Sequence, residues 1–263
     1  MNIKKVYYLI ISGLFFVGCS TEPTIKETIT IPPVQRTILV YKGATWCGPC
    51  GTSGKPVLRT MESYGVDKVV CLSSQTSDGL NSPAGDSIGG ALMKRFNQNG
   101  IPHMFEGGNE SWTNFYPNQN TADQIMTRTN LMSPLAGVYV NGVVESVNGS
   151  NVDYQINVTA KTKFFGSGAG TYKLSILVLE DDIIKGQTGS SNPEHDNVIR
   201  GFGGVSPLGD VINNINQNGE QEFSYIIPIN NSWKKENLKV AAIIWRVNGV
   251  NFDPVNGYSV HVK

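Results

Sequence analysis

The chain has 263 residues, with 21 basic and 21 acidic side chains, so its formal net charge is zero. That balance leaves no basic excess to neutralise phosphates and argues against nucleic acid as a partner. Only 16% of residues are charged while 29 are glycine, a composition that relies on turns and uncharged polar surface, as extracytoplasmic β-rich proteins do.

The first element is MNIKKVYYLIISGLFFVGCS. Lys4 and Lys5 form a basic start, and Val6 to Val17 is an apolar run too short to span a bilayer as a helix. A charged start, a short apolar core and small residues describe a secretory signal peptide over residues 1–18. Gly18-Cys19-Ser20 resembles a lipobox, which implies cleavage before Cys19 and acylation of that cysteine. Phe16 departs from the usual Leu of such boxes, and the competing reading is a secreted chain with a stray cysteine at its cleavage site. Residues 19–33 carry Thr, Glu and Pro without periodicity and read as a tether. No later stretch is long enough for a membrane-spanning helix.

Arg36 to Lys42 is β-branched and apolar and predicts a strand ending at Gly43. Val57, Leu58 and Met61 fall at helical spacing within Gly51 to Tyr64. Val66 to Ser73 predicts a second strand, containing Cys71, and a polar loop, SQTSDGLNSPAGD, follows. Ile88, Ala91, Leu92 and Phe96 predict a second helix, Ile101 to Glu106 a short strand, and Thr121 to Met132 a third helix. Strand and helix alternate, which signals an α/β layer domain over residues 34–133. The character changes at Ser133-Pro134. Residues 135–141, 143–147, 152–163, 171–180, 222–229 and 238–248 are strand-like, and Asn141-Gly142, Asn148-Gly149 and Asn248-Gly249 read as hairpin turns between runs. Residues 134–263 therefore predict an antiparallel β-sandwich of immunoglobulin-like type.

The segment ATWCGPCG places Cys47 and Cys50 after the first strand and before the first helix. A zinc site would need a second ligand pair. Cys19 and Cys71 do not supply one, and His103, His195 and His261 are scattered, so no metal is expected. A purely structural disulfide is open to an exported chain. A redox pair explains more: at a helix N-terminus, free N–H groups and the dipole stabilise a Cys47 thiolate. Trp46 can cover one side of the pair, and Pro49 stiffens the turn.

ILVYKGATWCGPC resembles the strand and active-site segment of thioredoxins, and GIPHMF resembles the segment that carries their cis-proline. The resemblance implies a thioredoxin-like fold. It implies that Cys47 is the exposed attacking sulfur, that Cys50 resolves, and that the two form a Cys47–Cys50 disulfide. Pro102 would shape the substrate groove, with the backbone of Ile101 pairing with a substrate peptide. Tyr41 departs from the pattern, standing where thioredoxins bury an Asp that assists proton transfer to the resolving cysteine. Gly51 and Gly54 also replace residues that stiffen the helix. His103 reads either as a tuning group or as a rim residue, and Cys71 as an inert buried thiol.

The stretch LEDDIIKGQTGSSNPEHDNVIRGFGG links two strands by a long polar loop. Its acids Glu180, Asp181, Asp182, Glu194 and Asp196, with His195, lack the spacing of a calcium loop and read as solvated charge. Glu180-Asp181-Asp182-Ile183 and the run from His195 to Arg200 resemble segments of the outer membrane protein 28-related lipoproteins. That resemblance implies a lipoprotein signal, a thioredoxin-like domain, a β-sandwich and an outer-membrane location. Two functions are then expected. The first is a lipid-anchored envelope oxidoreductase that exchanges disulfides with protein thiols through Cys47 and Cys50, without a cofactor. The second is a binding or adhesion lipoprotein on a redox-inactive scaffold.

Overall fold

A computed structural model describes residues 29–118, 121–147 and 153–263. The leader over 1–18, Cys19, most of the tether, Asn148-Gly149 and Val152 lie outside the described residues. Strand β1 (Thr37–Gly43) is buried along its whole length. Cys50–Gly54 winds as a π-helical turn and runs into α1 (Lys55–Ser63). Strand β2 (Val69–Gln75) starts at Val69 rather than Val66, because Gly65 to Lys68 close a turn that leaves Val66 exposed. Helix α2 (Pro83–Arg95) begins inside the expected loop. Ser82 caps it by accepting a hydrogen bond from the Gly85 N–H at 3.1 Å, and Pro83 is preset for the first turn.

The Ile101–Pro102 bond is cis. It leads into β3 (His103–Gly108), which folds back as a hairpin into β4 (Ser111–Phe115), a strand not expected from the sequence. Helix α3 (Thr121–Leu131) matches its expected span. The remaining chain is strand: β5 (Ala136–Ser146), β6 (Tyr154–Phe164), β7 (Thr171–Glu180), β8 (Ile183–Ile184), β9 (Glu194–His195), β10 (Val198–Gly203), β11 (Asp210–Ile212), β12 (Glu220–Pro228), β13 (Leu238–Asn248) and β14 (Asn251–His261).

Asn141-Gly142 is not a turn. Both residues lie within β5 and pair with Thr159 and Val158 of β6. A side chain at Gly142 would crowd methyl groups of Val240, Val262 and Ile156 at 3.1–3.2 Å, so its glycine serves packing. Asn248-Gly249 does close a hairpin, from β13 into β14.

The fold is α/β plus all-β, a thioredoxin-like arrangement followed by an antiparallel β-sandwich. Strands run β2-β1-β3-β4 in the first part, with β2 parallel and β3 antiparallel to β1. The same sheet continues through β10, β7 and β13 to β14, because β10 joins β2 in parallel at Val198 and Ser73. A three-stranded sheet, β12-β6-β5, forms the other layer of the sandwich. Residues Ile31–Lys263 make one compact unit.

Alternation along β7 and β13 sorts the cores. Leu177, Leu179, Ala241, Ile243 and Trp245 join Ile38, Val40, Val70 and Leu72 beneath Ala84, Ile88 and Leu92 of α2. Ile176, Val178, Val240, Ala242 and Ile244 face the opposite way, into the sandwich core with Val138, Ile156 and Val158. Leu39, Val69 and Met104 pack against Val57, Leu58 and Met61 of α1 and Ile125 of α3. By the strand register, α1, α3 and the three-stranded sheet share one face of the long sheet, and α2 covers the other.

Candidate functional site

The strand β1 delivers the chain to the pair, and the π-helical turn receives it. Cys47 and Cys50 lie at disulfide distance, S–S 2.12 Å, with Cα atoms 5.2 Å apart. The Cys50 N–H points at the Cys47 sulfur from 3.1 Å. On the other side the Ile101 carbonyl stands 3.7 Å from the same sulfur, next to Pro102. Trp46 is 56% exposed beside them. The five residues singled out in the sequence, Trp46, Cys47, Cys50, Ile101 and Pro102, are thus one site. One expectation needs correction: Cys47 is 5% exposed, not open, although it remains more accessible than Cys50 at 0%.

Tyr41 is buried below the pair, in the space that side chains at Gly43 and Gly54 would fill. This accounts for Gly54. Its hydroxyl has no hydrogen-bond partner among the described residues, and burial pushes its acidity far below that of ordinary tyrosine. It cannot replace a carboxylate as a proton acceptor near neutral pH. His103 is not a rim residue. It is buried against Phe105, with Nε2 3.3 Å from Asn114 Oδ1, and burial lowers its pKa. Cys71 is free and buried, and desolvation raises its thiol pKa.

The segment between β7 and β10 is where sequence reasoning missed most. It is a strap laid along the helix that follows Cys47. Thr188 N–H donates to Thr45 O at 2.8 Å, and the Gln187 carboxamide donates into the carbonyls of Ala44, Thr45 and Cys47. A Cβ on Gly51 would lie 2.3 Å from Thr188 O, and one on Gly189 2.3 Å from Gly48 O. Gly51 is therefore the seat of the strap and not a loosened helix position. Farther along, Lys55 Nζ donates to the carbonyls of Asn192 and Glu194, Arg59 pairs with Glu194, and Asn197 donates to Glu62. Burial pushes Lys55 down to about 8. The only signal in the sequence was the spacing of 55, 59 and 62 on one helix face.

The acidic residues of this segment are mostly braces. Glu180 pairs with Arg200 and accepts from the Lys234 N–H, while Asp181 pairs with Lys239 at 2.7 Å and accepts from the Asn197 N–H. His195 Nε2 meets the Lys185 carbonyl at 3.0 Å. Asp182, Glu194 and Asp196 do gather, with oxygens within 4.8 Å of one another, on partly exposed positions.

Glu62 gives the site a pH dependence. Burial, with Asp196 nearby, pushes its carboxyl up to about 7. An acid whose pKa is higher folded than unfolded binds more protons in the folded state, so stability falls as pH rises from about 4.5 to about 7 and is flat above. Glu62→Gln should therefore leave Tm nearly unchanged at pH 5 and raise stability at pH 8 by on the order of 2 kcal/mol, read by thermal unfolding at both pH values. Equal shifts at both would refute this assignment.

Among solved structures, the chain resembles HBP35 of Porphyromonas gingivalis, with a TM-score of 0.71 and 17% identity over 89% of this chain and 77% of that one. A domain of the outer membrane lipoprotein Omp28 from the same organism aligns with a TM-score of 0.34 and 18% identity, over 49% of this chain and 89% of that one. The first likeness is one of fold. No family model matches the sequence, and no curated protein does. No helix among the described residues is long and apolar enough to cross a membrane.

Proposed function

We propose that this protein is a lipid-anchored cell-envelope protein of the outer membrane protein 28-related kind that exchanges disulfides with exported proteins through Cys47 and Cys50. The observation that carries the reading is the Cys47 sulfur itself, held between the Cys50 N–H and the Ile101 carbonyl at a helix start. The N–H and the helix end favour the thiolate that exchange requires. With the pair oxidised, a substrate thiolate attacks Cys47 Sγ and the Cys50 sulfur leaves as a thiolate. A second substrate thiolate then attacks the substrate sulfur of the mixed disulfide, and Cys47 leaves. Two electrons pass from the substrate, which departs as a disulfide, to the pair. The reverse sequence reduces a substrate. Ile101, whose carbonyl stands 3.7 Å from the Cys47 sulfur, and Pro102 would seat the substrate backbone. The anchor rests on Lys4-Lys5, the apolar run and Gly18-Cys19. Cys19 would carry the lipid, in the outer membrane.

The second reading is a binding or adhesion lipoprotein whose pair stays oxidised. Tyr41 in place of an acid, and the 5% exposure of Cys47, favour it. The reduction potential separates the two. Exchange proteins fall between roughly −270 and −120 mV, whereas structural disulfides lie below about −300 mV. We expect the higher range from equilibration with glutathione buffers. A value below −300 mV would leave the scaffold reading in possession.

A further inference from the structure

We propose that Gln187, at the tip of the strap, is a positioning residue for Cys47, holding the turn that aims the Cys50 N–H at the Cys47 sulfur. The inference rests on the exchange function proposed above and names a residue that function does not itself require.

Gln187 is 7% exposed. Its Nε2 lies 3.2 Å from Ala44 O, 3.2 Å from Thr45 O, 3.0 Å from Cys47 O and 3.1 Å from Thr188 O. Two hydrogens serve four acceptors, so the amide is a shared plug in a ring of carbonyls. The acceptors are not equally dependent on it. Ala44 O also receives the Cys47 N–H at 3.2 Å, and Thr45 O the Thr188 N–H at 2.8 Å. Among the described residues, Cys47 O otherwise receives only the Gly51 N–H, at a long 3.4 Å. Gln187 thus makes the shorter of the two contacts to Cys47 O.

Two consequences follow for the sulfur. The tether fixes the first turn, so the 3.1 Å approach of the Cys50 N–H is held in place when the disulfide opens. The carboxamide hydrogens also offset the negative ends of carbonyls crowded around Cys47, and uncompensated carbonyls there would disfavour a thiolate. The strap backbone meanwhile packs closely on Gly51, where an added Cβ would lie 2.3 Å from Thr188 O.

The test is the pH profile of iodoacetamide alkylation at Cys47 in the reduced full chain, followed by peptide mass. Gln187→Met keeps the volume and removes the donors; Gln187→Ala is the second variant, with thermal unfolding as the check on folding for each. In both we expect the Cys47 midpoint to rise by about one unit, which is about tenfold less thiolate below the midpoint. The more basic sulfur is intrinsically more nucleophilic, which leaves alkylation about threefold slower at pH 6. The reduction potential should move to more negative values, because the reduced form loses stabilisation. A wild-type midpoint already lowered from about 8.5, with unchanged midpoints in the folded variants, would overturn the role of Gln187 alone. So would a rate that falls by the same factor at every pH, which marks altered access. A wild-type midpoint at or above about 8.5 would instead overturn the exchange function, and this inference with it.

Discussion

Cys50→Ser should accumulate mixed disulfides through Cys47, and Cys47→Ser should form none. In the native chain, Cys50 lies next to the Cys47 sulfur, and an intramolecular nucleophile so placed acts at a very high effective concentration. Removing it leaves only free thiols in solution to resolve the bond. The lifetime of the mixed disulfide should rise by at least about three orders of magnitude. Cys71 cannot stand in, because it is buried and its thiol pKa is raised. Non-reducing gels of envelope extracts, with mass identification of the junction peptide, read the result. Adducts equal in both variants, or absent from Cys50→Ser while it remains folded, would remove the exchange mechanism.

Residues 31–133 expressed alone should show no cooperative thermal transition, whereas the whole chain should unfold in one. The core under α2 contains Leu177, Leu179, Ile199, Ala241, Ile243, Trp245 and Phe252, all from beyond residue 133. Each Leu, Ile or Phe of this kind contributes about 1.5–3 kcal/mol when buried, against a typical total stability of about 5–15 kcal/mol. Their loss exceeds what the fragment can spare. Leu177→Ala in the full chain is the milder version and should cost about 2–5 kcal/mol. Calorimetry of the fragment and of the variant would decide. A sharp two-state transition in the fragment would show that the α/β part is autonomous.

Much of this was legible in the sequence because it is local. The apolar run of β1, the Cys-Gly-Pro-Cys turn, the Ile-Pro pair and the spacing of Ile88, Leu92, Ile125 and Met126 each announce themselves within a few residues. What was hidden depends on partners far along the chain. Asn141-Gly142 reads as a turn, and only the β6 ladder and the methyls of Val240 and Val262 make it strand interior. Strand β14 is broken on paper by Pro254, Asn256 and Gly257, yet its proline sits opposite Trp245 beside a bulge, a position where strands tolerate proline. Strand β10 hides in a polar segment, and its place beside β2 rests on the single pairing of Val198 with Ser73. The strap is hidden for the same reason: Gly51 looks like a weak helix residue until Thr188 is set against it.

The strap lies 137 positions after Cys50 at Gln187, and this separation has a consequence in time. A chain made at about 5–20 residues per second exposes the cysteine pair for about 7 to 27 s before the segment that covers it exists. During that interval, the redox poise of the surroundings reaches both sulfurs without the shielding that the finished fold imposes. The pair's first oxidation state is then set by the compartment through which the nascent chain passes. Strands β7 and β13 arrive later than α2, so the apolar side of α2 also waits without its partners. Such non-local closure is slow, and a holding chaperone would find its purchase there.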